Sequence, residues 1–385
     1  MTRFVTKEKL ARLFDRLENL GIQVLFIGDS EGHRDVNVKY LTGHPEDAIL
    51  FVDVQNRQTI LIPWDYQLAN EYAEADHIVN IMEHNGGIIP AAIETLKEIV
   101  DDNPKIGVSK EISYFYVRNI IDSLPNTEIL FDPREIDAEL DQLRSIKSPY
   151  EISLLKKSFK ISNKLVEEIE GRMKTHTDIE TEVDLSIFVE NRMRKLGAFG
   201  AGFESLVASS ARSWQIHTYP RADKLPMYRP GLALIDFGVN AAGFTSDVTL
   251  PFIMGPMNKK MKKIVETVMK VHDEAIEKLQ DATFLHEVAE NAVSTIEEAG
   301  FKMPHSLGHG IGLTVHDAPV LRKRPTHETL KKHWTKVPLE QGMVFTIEPG
   351  IYEKDVGGFR IENDVVITSK GPEMATNAHP IFIDL

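Results

Sequence analysis

The segment His305-Ser-Leu-Gly-His309-Gly-Ile-Gly-Leu-Thr-Val-His316 carries a histidine with a glycine on either side. Glycine lets a backbone approach its neighbours closely and adopt dihedral angles that other residues avoid. Glycine-rich segments also bind phosphate, but those loops carry a Lys-Ser/Thr pair or follow a Rossmann strand, and this segment does neither. A phosphate loop is therefore disfavoured, and His309 is a candidate metal ligand.

Four acidic residues in the same half of the chain extend this candidate to a full ligand set. They are Asp236 in Leu232-Ala-Leu-Ile-Asp236, Asp247 in Phe244-Thr-Ser-Asp247, Glu348 in Val344-Phe-Thr-Ile-Glu348 and Glu362 in Phe359-Arg-Ile-Glu362. Asp236 and Glu348 end apolar runs that should be buried, and a buried carboxylate must be paired or bind a metal. The turn residues 241–243 predict a hairpin that brings Asp236 to Asp247. A cation would remove the repulsion between the two.

Four carboxylates and one imidazole can hold two divalent ions with a shared hydroxide, and such a site hydrolyses an amide bond at neutral pH. An oxygen-rich site with one imidazole suits Mn(II), Co(II) or Fe(II) better than structural zinc. Three further histidines, His217, His305 and His316, could donate hydrogen bonds to a carbonyl or an oxyanion. The alternative for each is a surface or internally paired histidine. Arg360, two residues before Glu362, is expected to pair with a ligand carboxylate.

The composition is that of a globular enzyme. Of the 385 residues, 42% are hydrophobic and 26% are charged, which allows a packed core. This length predicts about two or three domains. The net charge of -14 argues against nucleic acid or an anionic membrane as a partner. The absence of cysteine excludes disulfides, thiol nucleophiles and thiolate metal sites. No signal region and no run of about 18 apolar residues is found, so we expect a cytoplasmic protein.

Strands and helices alternate through the first third of the chain, which predicts a mixed or parallel sheet covered by helices. The predicted elements are a helix over 7–20, strands over 24–27, 48–52 and 59–62, a helix over 88–100, a strand over 106–108 and a helix over 113–124.

A domain boundary is predicted next, with a short helix over 136–146. Ser148-Pro-Tyr-Glu151 has the pattern of a capping box with proline at the first helical position, and it predicts a long helix to about Arg172. Thr177-Asp-Ile-Glu180 repeats the pattern and predicts a helix to about Leu196. We therefore expect an N-terminal α/β domain over 1–135, a linker over 136–149 and a second domain over 150–385.

The second domain is predicted to mix strands and helices. The strands cover 204–208, 232–237, 244–252, 343–347 and 359–367, and the helices cover 258–279 and 286–299. The metal ligands should therefore lie mostly on strands, which hold side chains more rigidly than loops do.

These motifs together resemble the pita-bread metallopeptidases (peptidase family M24), and within them the proline-specific branch of prolidases and aminopeptidases P. The specific segments are 305–316 and Thr346-Ile-Glu-Pro-Gly-Ile-Tyr352. Leu143-Arg-Ser-Ile-Lys-Ser-Pro-Tyr-Glu-Ile152 is similar to the start of the catalytic domain, and Val36-Asn-Val-Lys-Tyr-Leu-Thr-Gly43 is similar to the N-domain. The resemblance covers almost the whole chain. It implies an α/β (α+β) fold with a creatinase-type N-terminal domain followed by a pita-bread catalytic domain.

The resemblance also implies how the ligands share the ions. Asp236 would hold one metal ion bidentately, and Asp247 and Glu362 would bridge both ions. His309 and Glu348 would complete the coordination of the second ion. Two divalent ions per subunit, Mn(II) or Co(II), a small peptide substrate and a homodimer follow from the same resemblance.

Further roles come from the resemblance alone. Glu348 would carry the proton of the bridging water to the departing nitrogen. His316 would steady the tetrahedral intermediate, while His217 and His305 would line the substrate pocket.

Three arginines are candidates for contact with the substrate. Prolidases often bind the free carboxylate of a dipeptide through an arginine that follows the position of His316. Here Arg322 and Arg324 lie in a basic insertion over 321–336, and Arg360 lies beside a ligand. The alternative for the insertion is a solvated basic loop.

Several functions stay open at this point. Hydrolysis of Xaa-Pro dipeptides comes first, and the nearest rival is an aminopeptidase P that acts on longer Xaa-Pro peptides. Methionine aminopeptidases usually lack the N-terminal domain, and creatinase-type amidinohydrolases do not keep the full metal set. A non-catalytic pita-bread module that binds peptides is the rival of another class, because fold alone does not determine function. Such modules lose metal ligands, whereas this chain keeps all five.

Overall fold

The computed structural model describes residues 4–385 and shows two compact units, one ending at Leu143 and the other running from Arg144 to Leu385.

The first unit is built on a six-stranded sheet. Its strands are β1 (Val24–Asp29), β2 (Ala48–Asp53), β3 (Gln58–Pro63), β4 (His77–Ile78), β5 (Lys105–Val108) and β6 (Glu128–Leu130). Its helices are α1 (Lys7–Asn19), α2 (Val36–Thr42), α3 (Tyr66–Tyr72), α4 (Ile88–Ile99) and α5 (Tyr114–Ser123), with a 3₁₀ turn over Ile81–Glu83. The strand order is β4-β3-β2-β1-β5-β6. Strand β1 pairs antiparallel with β2 and parallel with β5, which confirms the predicted mixed sheet. The sequence prediction missed α2 and α3, because helices of 7 residues are too short to show a helical period.

The predicted capping box at Ser148 is confirmed. The Ser148 side chain accepts from the Glu151 N–H, the Glu151 side chain accepts in return, and helix α7 (Pro149–Thr175) follows α6 (Ile136–Ser145). The second predicted cap is wrong. Thr181 caps α8 (Glu182–Lys195) together with Asp184, because both of their side chains bond the other's backbone N–H. The stretch 177–180 stays outside the helix.

The second unit contains most of the strands. They are β7 (Gly200–Ala201), β8 (Leu206–Ala208), β9 (Gly231–Phe237), β10 (Val239–Ala241), β11 (Phe244–Thr245), β12 (Val248–Met254), β13 (Gly308–Gly310), β14 (Asp317–Leu321), β15 (Val344–Ile347), β16 (Gly350–Glu353), β17 (Gly357–Arg360), β18 (Asn363–Thr368), β19 (Gly371–Met374) and β20 (Ile381–Ile383). The remaining helices are α9 (Lys259–Lys278), α10 (Leu285–Glu298) and α11 (Glu328–Lys331).

Two sheets of this unit position the candidate site. One has the order β20-β12-β9-β8 and the other β14-β13-β15-β18-β19. Apolar side chains of both sheets and of α7 to α10 form one continuous core, which includes Leu165, Ile235, Val268, Phe345 and Val365. The sheets are therefore fixed relative to each other by buried packing within one unit.

The prediction that the ligands lie mostly on strands is wrong for three of them. The predicted strand over 244–252 breaks between β11 and β12, and Asp247 lies in the break. The predicted strand over 359–367 breaks between β17 and β18 at Glu362, because these two strands pair with different partners, β16 and β15. Glu348 likewise lies between β15 and β16, so only Asp236 and His309 lie within strands.

Among the residues described, no helix combines the length and the apolar composition that a membrane span requires.

Candidate metal centre

The structure brings the candidate ligands together at one buried point. Asp247, His309 and Glu362 are buried, and each offers a ligand atom within 4.8 Å of the others. His309 Nε2 lies 3.5 Å from Asp247 Oδ2 and 3.5 Å from Glu348 Oε1. Asp236 lies close enough to raise the pKa of both Asp247 and Glu362 by charge repulsion, in addition to the larger effect of burial.

The hairpin predicted between Asp236 and Asp247 is present. Strands β9 and β12 pair antiparallel with Asp236 opposite Thr249, and the chain reverses at Ala242 and Gly243. Both turn residues take positive φ values, 56° and 85°, which suit a tight hairpin turn. The turn thereby delivers Asp247 to a position two residues from the partner of Asp236.

The glycines around His309 are required by the strands on either side. A Cβ on Gly308 would collide with the backbone of Thr346, and a Cβ on Gly310 would collide with the backbone of Ala318. Only glycine therefore lets β13 insert between β14 and β15. This close approach places the His309 imidazole beside the carboxylates.

The electrostatics of the ligand group favour a bound cation. Burial, followed by repulsion from neighbouring carboxylates, raises the pKa of Asp247 and of Glu348 well above the ordinary values. The same causes raise the pKa of Glu362 to about 7. A divalent cation would remove this penalty by neutralising the carboxylates.

The pattern of hydrogen bonds fits metal ligation. Asp236 Oδ2 accepts from Arg360 at 2.7 Å and Glu362 Oε2 accepts from Thr249 at 2.7 Å. Within residues 4–385, Asp236 Oδ1, Asp247 Oδ1 and Glu362 Oε1 are buried without any hydrogen-bond partner. Buried polar atoms are normally paired, so these free oxygens are suited to bind an ion while the anchored oxygens set the direction.

His309 is prepared to bind a metal through Nε2. Its Nδ1 lies 3.1 Å from the carbonyl oxygen of Gly310, which favours a proton on Nδ1 and leaves the lone pair on Nε2. Burial, followed by the charge of nearby His316, lowers the pKa of His309 to about 4. The imidazole is therefore neutral near pH 7, as a metal ligand must be.

Arg360, Tyr352 and His305 form a hydrogen-bonded chain beside the ligands. Arg360 donates to the Tyr352 hydroxyl at 2.7 Å, and this hydroxyl lies 3.0 Å from His305 Nε2. A guanidinium only donates, so the Tyr352 oxygen accepts and its proton can go to His305. His305 Nδ1 then carries the other proton, directed at the Ser306 carbonyl oxygen at 2.8 Å. Burial lowers the pKa of His305 to about 4, which keeps the ring neutral.

The other two candidate histidines are exposed. The ring of His316 lies 4.4 Å from that of His309 between centroids. His217 is partly shielded, which lowers its pKa, and the charges of Arg221 and Arg360 lower it further. Both rings are exposed to solvent, and each lies near a residue of the metal centre, since His316 contacts His309 and the charge of Asp236 acts on His217.

The three arginines have different environments. Arg360 is 2% exposed and donates to Asp236, Thr249 and Tyr352, so its guanidinium is used within the protein. Arg324 is exposed and pairs with Glu290 of α10 at 2.8 Å. Arg322 is also exposed, and it forms no ion pair within residues 4–385.

Sequence reasoning assigned no role to three residues that support the ligands. Thr249 bonds both Glu362 and Arg360, and Tyr352 connects Arg360 to His305. Asp364 accepts from the Asp247 N–H at 3.2 Å, and burial raises the pKa of Asp364 well above its ordinary value. Thr249 and Asp364 each lie two residues after a candidate ligand, and in the continuous strands that the sequence predicted, such alternate residues would share a face.

Comparison with known proteins identifies the family of the chain. Residues 153–369 match the family model "Metallopeptidase family M24", and residues 9–146 match "Creatinase/Prolidase N-terminal domain". The chain belongs to metallopeptidase family M24. It is therefore a metal-dependent hydrolase, and the predicted creatinase-type N-terminal domain and pita-bread catalytic domain are confirmed.

Three similar proteins span nearly the whole chain. An Xaa-Pro dipeptidase of Pyrococcus furiosus is 28% identical over 374 residues, which is 96% of this chain and 98% of the relative. The crystal structure of the prolidase from Pyrococcus horikoshii OT3 superposes with a TM-score of 0.80 at 25% identity and covers 97% of this chain and 99% of that one. An X-Pro aminopeptidase from Thermotoga maritima superposes with a TM-score of 0.77 at 26% identity and covers 96% and 100%.

Proposed function

We propose that this M24 metallopeptidase hydrolyses the Xaa-Pro bond of dipeptides, using two divalent ions held by Asp236, Asp247, His309, Glu348 and Glu362. The observation that carries the metal site is the set of buried carboxylate oxygens without partners, each on a ligand whose other oxygen or backbone is anchored. The substrate class is supported by the printed names of full-length relatives, among them the Xaa-Pro dipeptidase of Pyrococcus furiosus.

Divalent ions held by these five residues would supply Lewis-acid chemistry, which polarises a carbonyl and lowers the pKa of water toward 7. Glu348 is 16% exposed at its side chain, so its carboxylate can reach both water and substrate. It accepts the proton of the attacking water and delivers it to the departing proline nitrogen. Asp236 is held in orientation by Arg360 throughout.

The three histidines near the metal centre have different roles. Both ring nitrogens of His305 face partners in the protein, so His305 shapes the pocket. His316 is exposed beside His309 and is free to donate to the oxyanion as it forms. His217 contacts the substrate from the loop between β8 and β9. An Xaa-Pro bond has no N–H, so the pocket needs no acceptor at that position.

The basic insertion supplies the contact to the dipeptide carboxylate. We assign this role to Arg322 rather than Arg324, because Arg324 is occupied by Glu290. For the same reason Arg360, which donates only within the protein, acts on the substrate through Asp236 and Tyr352. We also propose that the ions are Mn(II) or Co(II) and that the enzyme is a homodimer, as the sequence resemblance implies. A cytoplasmic location is proposed separately, from the sequence pattern alone.

The test is hydrolysis of a matched pair, an Xaa-Pro dipeptide and the corresponding Xaa-Pro-Yaa tripeptide. Protein stripped with a chelator is reloaded with Mn(II) or Co(II), and bound metal is counted. We expect the dipeptide to be cleaved and Arg322→Ala to raise its KM, with Arg324→Ala as the matched control. Preference for the tripeptide would instead establish an aminopeptidase, which is also the printed activity of the Thermotoga maritima neighbour. Cleavage of neither peptide by protein with two ions bound would refute the proposal.

A further inference from the structure

A buried ion pair between Glu182 and Arg212 lies at the base of the loop that carries His217. Glu182 is fully buried at the first position of α8, and Arg212 is 8% exposed. Buried charges lower stability unless they are paired and fully hydrogen-bonded, so such a pair is weak evidence for stability alone. Its contacts show instead which backbone it holds.

Glu182 binds both ends of the loop. The Ser209 N–H donates to Glu182 Oε1 at 2.8 Å, and the Asp223 N–H donates to Glu182 Oε2 at 2.9 Å. Arg212 donates from Nε to Glu182 Oε1 at 3.2 Å and from a terminal nitrogen to Oε2. Its other terminal nitrogen donates to the Pro220 carbonyl oxygen at 2.9 Å. One ion pair therefore closes the loop 209–223 at its start, near its tip and at its end.

The ion pair acts together with one other anchor, the buried Ser213, whose hydroxyl donates to the Leu232 carbonyl oxygen at 2.6 Å and accepts from the Gly358 N–H at 3.1 Å. Residues 209–230 contain no helix or strand, so few ladder hydrogen bonds offset the entropy of ordering them. Tyr219 is 93% exposed, whereas its neighbour Thr218 is buried and donates to the Arg221 carbonyl oxygen at 3.2 Å. Toward the metal centre, the Ile216 carbonyl oxygen accepts from Arg360 at 3.4 Å. Since His217 follows Ile216, its position depends on this contact and on the ion pair that holds both ends of the loop.

We infer that Glu182 and Arg212 are positioning residues for His217, and that their ion pair keeps the 209–223 loop folded against the metal centre. This inference rests on the proposed contact between His217 and the substrate. Glu182 and Arg212 touch neither the ligands nor the substrate, so their effect on catalysis passes through the loop. A loop free to open would leave the metal ions bound and would misplace only the histidine.

The test combines amide exchange with a double-mutant cycle. Glu182→Gln removes the negative charge and replaces one of the two accepting carboxylate oxygens with an NH2 group, which can only donate. We expect faster hydrogen exchange confined to residues 209–223, and a loss in kcat/KM of about tenfold or more, with bound metal unchanged. In the His217→Ala background the same substitution should change kcat/KM by less than about twofold, because two residues that act through one contact are not additive.

The chain supplies a matched control in Glu168 and Arg192, a second Glu–Arg pair at 2.5 Å between α7 and α8 that is partly exposed. Glu168→Gln should alter neither exchange in the loop nor kcat/KM. Arg212→Lys, which keeps the positive charge but loses the fork geometry, serves if Glu182→Gln fails to fold. Unchanged exchange over 209–223 would overturn the inference and leave the role of His217 intact. An unaltered kcat/KM in His217→Ala would refute the role of His217, and the inference with it. An equal loss of activity in both backgrounds would show that the pair is structural only.

Discussion

Removal of the Thr249 hydroxyl should weaken metal binding without unfolding the protein. This hydroxyl donates to Glu362 Oε2 at 2.7 Å and accepts from Arg360 Nε at 2.9 Å. Thr249→Val keeps the shape of the side chain and deletes both bonds. Arg360 keeps Asp236 and Tyr352 as partners, so the buried guanidinium stays paired.

The expected loss of metal affinity can be worked out, because both hydrogen-bond partners of Thr249, Glu362 and Arg360, are charged. A hydrogen bond to a charged group contributes about 1.5–3 kcal/mol, and loss of a residue that orients a ligand costs about 10–100-fold in metal affinity. Each factor of ten corresponds to about 1.4 kcal/mol, so the two ranges agree. We therefore expect the Kd of Mn(II) to rise about 10–100-fold.

The assay is a titration of chelator-treated protein with buffered Mn(II), in which bound metal is counted directly and Tm is recorded. Thr267→Val is the matched control, because the Thr267 hydroxyl is also buried and donates only to the Lys263 carbonyl oxygen within α9. A Kd within twofold of the wild-type value in folded Thr249→Val protein would refute the argument that anchored oxygens orient the ligands.

Three further outcomes are expected. Glu348→Ala should lower kcat by at least about a hundredfold and release metal, because it removes a ligand and a proton carrier together; near wild-type turnover would contradict both roles. His316→Ala should lower kcat more than it raises KM if its hydrogen bond strengthens in the transition state, and steady-state kinetics showing a change in KM alone would make it a ground-state contact. Chelation should lower Tm more as pH rises. Glu362 has a pKa of about 7 in the metal-free fold, against an ordinary value of 4.5. Its contribution to the stability of the metal-free protein is therefore complete below pH 4.5 and is lost as pH rises through 7. A Tm difference between stripped and reloaded protein that stays constant from about pH 5 to pH 8 would contradict this.

The clustering of the candidate ligands was predictable in part, because several of them lie in segments with a local structural signal. Asp236 and Glu348 end apolar runs, and the turn before Gly243 specifies the hairpin that brings Asp236 to Asp247. The glycines of the His309 segment indicated close backbone contact. In the structure, Gly308 lies against the backbone of β15 and Gly310 against the backbone of β14. Such signals are short in range, so one sequence is enough to read them.

The failures have a common physical cause in longer-range pairing. An apolar run reads as one strand, but where its two halves pair with different strands it must break, as at Asp247 and Glu362. Glu182 and Arg212 lie 30 positions apart and look like ordinary helix and loop residues. The cap at Thr181 was misplaced because Thr177 offers the same short pattern, and only the packed backbone decides between them.

The strand breaks show how Asp247 and Glu362, two candidate ligands that lie outside strands, are held by backbone hydrogen bonds. At one break, the Asp247 N–H donates to the Asp364 carboxylate of β18, and at the other, the Glu362 N–H donates to the Thr249 carbonyl oxygen of β12 at 3.2 Å. The break at Asp247 is thus hydrogen-bonded to β18, and the break at Glu362 is hydrogen-bonded to β12. The two sheets are therefore joined at these two residues. In the middle of a strand, the backbone N–H of such a residue would donate to a neighbouring strand of the same sheet. The breaks free these groups for bonds between sheets, so the spacing of Asp247 and Glu362 is set by direct hydrogen bonds between β12 and β18.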